Sequence, residues 1–285
     1  MAETLHISTY PKQPLQHNSQ KIPLVLIHGW GLNSAVWQPF IDNLSDEFTD
    51  IFYIITVDLP GFGINVNKEL SSYSLTNVCQ YIDNSITQPA IYLGWSLGGL
   101  VATEMALCYP EKVLALITVA SSPRFLEEVV EQEHTNQKTW LGLKPKLLDA
   151  FYKQLQGDIK KTISGFLKIQ AMGSPHIRQD IKQITQLVFQ YQMANKTTLD
   201  QSLRLLETSD FRLRLQEITQ PFLRLYGDAD SLVPKAVIKK IAKLTEKSDQ
   251  HVFKQASHAP FISHADDFKQ VLSNWLIAKA NTGFS

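Results

Sequence analysis

The run Ile91-Tyr92-Leu93-Gly94-Trp95-Ser96-Leu97-Gly98-Gly99-Leu100 constrains this chain more than any other. It reads as a short apolar strand, a Gly-x-Ser-x-Gly turn, and a helix continuing through Leu107. Gly94 and Gly98 flank Ser96 because a strand-to-helix turn this sharp brings backbones too close for a Cβ. The serine at its apex is held under strain, with its hydroxyl above the sheet edge. The following helix aims its first N–H groups at the same point, where negative charge is favoured. Five loosely defined positions recur by chance. Between a buried-type strand and a small-residue helix start, they predict a nucleophile elbow.

The surrounding pattern predicts the sheet that such an elbow needs. Residues 4–9 alternate as a strand, and 11–20 form a polar turn region. Residues 22–27 are a continuous apolar run, the signature of a strand covered on both faces of a parallel sheet. The run ends in the glycine-bearing loop His28-Gly29-Trp30-Gly31-Leu32-Asn33, after which Ser34 caps a helix expected through Leu44. Further buried strands are expected at 51–57 and 113–120, and a helix at about 75–86. Helical periodicity without a convincing strand then runs from Arg124 to about Thr208, too long for a connecting loop. The α/β rhythm returns with a strand ending at Tyr226-Gly227, a helix from Pro234, a strand near 250–254 and a last helix from about 265. The fold class expected is therefore α/β, a mostly parallel doubly wound sheet. Residues 1–122 and 209–285 form its core, and a helical cap spans 123–208.

Composition removes several function classes. Basic and acidic residues balance at 27 each, so bulk charge does not favour nucleic acid. The start of the chain lacks a basic segment followed by an apolar one, and no apolar run approaches the roughly 20 residues of a membrane span. A cytoplasmic enzyme without membrane attachment is expected. Cys79 and Cys108 both fall in helical patterns and read as buried free thiols. No histidine pair has a helix-face spacing with a third ligand nearby, so no metal is expected.

A serine hydroxyl attacks well only when a base takes its proton, and that base is usually a histidine oriented by a carboxylate. In a hydrolase sheet the chain order is Ser, then acid, then His. Asp230, in Gly227-Asp228-Ala229-Asp230, fits the acid, with Asp228 as competitor and turn cap. Of eight histidines, His6, His17 and His28 precede Ser96, His134 and His176 lie in the insertion, and His251 lies within a strand pattern. His258 sits in the loop after the last strand and is the favoured base. His264, its rival, reads as a helix cap. Two backbone N–H groups are needed for the oxyanion, and Leu97 and Trp30 supply them. His28 is expected to tie down the Trp30 loop, and Asp58 to fix the Pro60-Gly61 turn.

These residues name a resemblance. The chain resembles the α/β-hydrolases and, more narrowly, the BioH family of pimeloyl-[acyl-carrier protein] methyl ester esterases of biotin synthesis. It is carried by residues 26–33, 57–63, 93–102, 118–123, 222–227 and 258–264, above all the Trp-Ser-Leu elbow with Ala120-Ser121-Ser122-Pro123. The resemblance implies an α/β-hydrolase fold with the cap inserted after the sixth strand. It also implies a serine carboxylesterase with catalytic Ser96, Asp230 and His258, oxyanion donors Trp30 and Leu97, and no cofactor. Substrate contacts are implied for Trp30, Ser96, Leu97, Phe166, Leu167, Lys168, Ile169, Gln170 and His258. The implied partner is acyl carrier protein bearing a methyl-pimeloyl chain, docked on cap residues Lys161, Arg178 and Lys182. Gly165 stands at a fourth position where that family is basic. A monomer is expected.

The charge pattern supports a carrier independently. Residues 138–185 hold nine Lys/Arg against three acids, an excess of six positive charges in a neutral chain. Arg178 and Lys182 are spaced to share a helix face, as are Lys161 and Lys168. Such a face steers an acidic partner.

Overall fold

The computed structural model describes residues 3–11, 21–132 and 135–284. Most of the expected polar stretch at 11–20 lies outside these, as do His17 and His134. In chain order the core opens with β1 (Ile7–Tyr10), β2 (Ile22–Ile27), α1 (Gln38–Asp42), α2 (Asp46–Ile51) and β3 (Phe52–Val57). It continues with α3 (Leu75–Ser85), β4 (Ala90–Trp95), α4 (Leu97–Cys108) and β5 (Val113–Val119). An excursion follows, built from β6 (Glu128–Gln132), β7 (Thr135–Trp140), α5 (Pro145–Leu155), α6 (Ile159–Ala171), α7 (Ile177–Val188) and α8 (Lys196–Thr208). The chain then returns through β8 (Phe222–Gly227), α9 (Lys235–Leu244), β9 (Asp249–Phe253), α10 (Pro260–Ser263) and α11 (Ala265–Thr282).

Seven strands form one sheet in the order β1-β3-β2-β4-β5-β8-β9, parallel except for β1. Strands β3 and β4 are buried along their whole length, as continuous apolar runs require when helices cover both faces. The order reverses direction at β2 and β4, which lie side by side with Ile27 opposite Gly94. That switch point opens a crevice at the strands' carboxyl ends, where ligands of open α/β sheets bind. Helix α4 is buried at ten of its twelve positions, so it packs as an apolar rod rather than an amphipathic one.

Four expectations need correction. The excursion begins after β5, the fifth strand in chain order, because β1 alone precedes β2 among the described residues. It is not wholly helical either, since β6 and β7 pair as an antiparallel hairpin. Val129 and Val130 are adjacent rather than alternating, so the hairpin leaves no period-2 signal in the sequence. Trp140 secures its end, buried and donating from its indole to the Arg124 carbonyl at 2.8 Å. The helix expected from Ser34 to Leu44 is a 3₁₀ turn, Ser34–Trp37, followed by the short α1, with the side chain of Asn33 as the N-cap. Finally, Cys108 is exposed, whereas Cys79 is buried as expected.

The two ends of the excursion meet where Phe211 N–H donates to the Pro123 carbonyl at 2.8 Å. Helices α5–α8 carry apolar side chains inward, among them Phe151, Ile163, Phe166, Leu167, Val188 and Leu199. They fasten to the loop after β2 through two side-chain donors. Trp30 Nε1 reaches the Leu199 carbonyl at 3.1 Å, and Asn33 Nδ2 the Val188 carbonyl at 2.9 Å.

Candidate active site

Ser96 sits between β4 and α4 with φ 56° and ψ −116°, a left-handed backbone that a non-glycine residue adopts only under constraint. The constraint is visible in its neighbours. A Cβ on Gly94 would lie 1.9 Å from the Gly98 carbonyl oxygen, and one on Gly98 would lie 2.5 Å from that of Ile27. Ser96 N–H donates to the Val119 carbonyl and the Ser121 hydroxyl to the Ser96 carbonyl, each at 2.9 Å. The turn is therefore held from β5 as well as from its own glycines.

Beyond β8 the Asp230 carboxylate is fixed at both oxygens. Oδ1 accepts from the Leu232 and Val233 N–H groups at 2.8 and 3.1 Å, and Oδ2 lies 2.8 Å from His258 Nδ1. A carboxylate there calls for the proton on Nδ1, which leaves Nε2 as the basic nitrogen. His258 is fully buried, and its N–H donates to the Gln170 carbonyl of α6 at 3.1 Å. Trp95, the residue before Ser96, donates from Nε1 to the His258 carbonyl at 2.8 Å, with the two rings 6.0 Å apart. Ser96 Oγ and His258 Nε2 are both buried and make no hydrogen bond among the described residues. The Ser96 hydroxyl and His258 Nε2 are thus both left uncommitted by the fold.

The loop after β2 lies directly against the elbow, since a Cβ on Gly29 would sit 3.3 Å from that of Ser96. Trp30 follows Gly29 in this loop. Leu97 is the first residue of α4, so its N–H has no carbonyl of its own helix to meet. The loop is pinned by His28, whose Nε2 accepts from Leu59 N–H at 3.0 Å and whose Nδ1 lies 2.8 Å from the Gly29 carbonyl. Burial pushes His28 below the ordinary histidine range, against the pull of Asp58. Asp58 accepts from Ser34 N–H at 2.5 Å and Ile64 N–H at 2.8 Å, so it ties two loops together. Asp228 accepts from Gln255 N–H at 2.6 Å, a turn contact. His264 stands at the start of α11 but its side chain caps nothing, with Nδ1 2.9 Å from the Ser263 hydroxyl instead.

On α6, Phe166, Leu167 and Gln170 are buried, and the Phe166 ring meets Trp30 edge-on at 5.0 Å. Both amide atoms of the Gln170 side chain are buried without a partner among the described residues. Ile169 is half-buried, and Lys168 is exposed, away from these groups. Lys161 on α6 and Arg178 and Lys182 on α7 are exposed. Two contributions escaped the sequence reading, the Trp95 indole at His258 and the Ser121 hydroxyl at Ser96. Both residues stand in the motifs already singled out, but their partners are distant in the chain.

Residues 22–265 match the family model of the alpha/beta hydrolase fold. A pimeloyl-[acyl-carrier protein] methyl ester esterase of Photobacterium profundum is 45% identical over 261 residues, 92% of this chain and 97% of that one. Among solved structures, an esterase from Exiguobacterium antarcticum superposes with TM-score 0.77 at 21% identity, covering 96% of this chain and 99% of its own. The enol-lactonase of Burkholderia xenovorans LB400 reaches 0.75 at 15% identity, with 96% of each chain covered. At such identities these two speak to the fold alone. Sheet order, elbow and sequence identity together place the chain in the α/β-hydrolase fold family and, within it, in the family of pimeloyl-[acyl-carrier protein] methyl ester esterases.

Proposed function

We propose that this chain is a serine carboxylesterase that hydrolyses the methyl ester of pimeloyl-[acyl-carrier protein] to the free acid and methanol in biotin biosynthesis. The observation that carries the reading is the buried Asp230–His258 pair beside Ser96, in a chain 45% identical to an esterase of that activity. Ser96 Oγ attacks the ester carbonyl carbon as His258 Nε2 takes its proton. The oxyanion is met by the Leu97 and Trp30 N–H groups, each such donor being worth about 10²–10³ in rate. The imidazolium, stabilised by Asp230, returns the proton to the departing methoxide. Water, deprotonated by the same nitrogen, then attacks the acyl-enzyme and releases the carboxylate and Ser96.

Residues 123–208 serve in this reading as a cap over the site. Phe166, Leu167 and Ile169 line the acyl chain, with Trp30 below. A buried amide left unpaired costs about 1–3 kcal/mol, and the polar groups of an acyl-carrier substrate would relieve that cost at Gln170. Lys168, exposed on the same helix, faces solvent and so suits the carrier rather than the chain. Lys161, Arg178 and Lys182 offer the carrier a basic face, and the enzyme works in the cytoplasm as a monomer. Among the described residues no helix is long and apolar enough to cross a membrane.

The test compares kcat/KM on methyl-pimeloyl carrier protein with that on a free short-chain methyl ester, for wild type and Ser96→Ala. A strong preference for the carrier substrate, lost in the variant, supports the proposal. Equal or better turnover of the free ester makes the chain a general esterase with the same chemistry.

A further inference from the structure

Ala120 follows the last residue of β5 with φ 45°, the left-handed region that Ser96 also occupies at the end of β4. A residue with a side chain takes that backbone only where its surroundings compel it. Its N–H donates to the Leu225 carbonyl of β8 at 2.8 Å, so the strand stays paired up to the turn. What the turn delivers is Ser121, which is 5% exposed. The Ser121 hydroxyl donates to the Ser96 carbonyl at 2.9 Å. That of Ser122 serves its own loop instead, donating to the Arg124 carbonyl at 2.7 Å.

Gly99 shows how closely Ser121 is seated. It lies beyond Gly94 and Gly98, the two glycines of the elbow, yet a Cβ there would come within 2.4 Å of both Cβ and Oγ of Ser121. Gly99 thus leaves room for that side chain, and its own N–H donates to the Ser96 carbonyl at 2.9 Å. This oxygen accepts two hydrogen bonds, one for each lone pair. The Ser96 carbonyl and the Leu97 N–H belong to one planar trans peptide, so they point in opposite directions and turn together. Holding the oxygen therefore fixes the direction of the N–H. A donor on the oxygen also polarises the amide and strengthens the hydrogen bond that its N–H gives.

We propose that Ser121 is a positioning residue for the oxyanion hole, aiming and polarising the Leu97 N–H through the Ser96 carbonyl. The inference rests on the hydrolysis at Ser96 proposed above and adds the residue that orients one of its donors. A donor aimed in advance needs no rearrangement as charge develops on the ester oxygen. Ser121 acts through the peptide and not on the ester itself.

The test uses the full chain, a short-chain methyl ester and its thionoester, in which sulfur replaces the carbonyl oxygen and accepts hydrogen bonds weakly. Ser121→Ala should lower kcat on the oxygen ester by about tenfold with KM nearly unchanged, less than the roughly 10²–10³ lost with a whole donor. On the thionoester kcat should fall much less, so the preference for oxygen over sulfur should narrow. A residue that only supports the fold would slow both substrates alike. Ser121→Cys, which keeps a weak donor, should lie between, and Ser122→Ala should match wild type. Ser96→Ala separates the two levels of the argument. Turnover that survives in Ser96→Ala overturns the nucleophile, and this inference with it. If Ser96→Ala is inactive but Ser121→Ala equals wild type, or slows both substrates alike, only the role of Ser121 is overturned. If Ser121→Ala does not fold, Ser121→Cys carries the same comparison.

Discussion

The indole N–H of Trp95 donates to the backbone carbonyl of His258 at 2.8 Å, so the residue preceding Ser96 holds the segment that carries His258. Trp95 is itself immobilised, edge-on to Phe261 at 4.9 Å and to Trp37 at 6.5 Å. Trp95→Phe keeps an aromatic ring in place and removes the donor, leaving a buried carbonyl unpaired. Stability should fall by about 1–3 kcal/mol in denaturant titrations. With the base less well placed, kcat should fall by about 10–100-fold while KM changes little. A change in KM alone would mean that Trp95 acts on substrate rather than on His258.

Asp230→Asn separates the two duties of this residue. The Asn Oδ1 can still accept from Leu232 and Val233 N–H, so the turn and the melting temperature should be nearly kept. The amide NH₂ turned toward His258 favours the wrong tautomer, and kcat is expected to drop by about 10⁴. Substitution of the competitor, Asp228→Asn, should lower kcat less than tenfold.

The buried His28 makes stability depend on pH. Its folded-state pKa is lowered, chiefly by burial, so between that value and the unfolded value near 6.5 the unfolded chain binds more protons. The contribution is therefore fully present above about pH 6.5 and is lost as pH falls toward the folded-state value. Unfolding free energies measured from pH 7.5 to 5 should decline, and the decline should be shallower in His28→Gln. Equal slopes would show that His28 is protonated in the folded protein.

Lys161, Arg178 and Lys182 are exposed, and the described structure assigns none of them an ion pair, so their charge is available to a partner. Reversing all three to Glu should lower kcat/KM on the carrier-bound ester by about tenfold or more at low salt. The loss should shrink as salt is raised, and turnover of a small free ester should be unaffected. Unchanged activity on the carrier substrate at low salt would remove these residues from docking.

Much of this protein is written in short stretches of its sequence. Gly94 is required by its contact with Gly98, four residues on in the elbow, whereas Gly98 is required by Ile27 of the neighbouring strand, and the continuous apolar runs declare strands covered on both faces. Chain order then selects Asp230 and His258, because each follows a strand of one parallel sheet. What only the tertiary structure decided involves residues distant in the chain. The Trp95 donor meets an acceptor 163 residues away, and the exposure of Cys108 depends on where α4 ends rather than on its periodicity. The hairpin of β6 and β7 stays hidden because its pairing, not its pattern, makes it a strand. Arg224 is the clearest case. In sequence it is a charged residue within an apolar strand. Only packing between β5 and β9 takes it out of water, with the Ser248 hydroxyl accepting from its Nε.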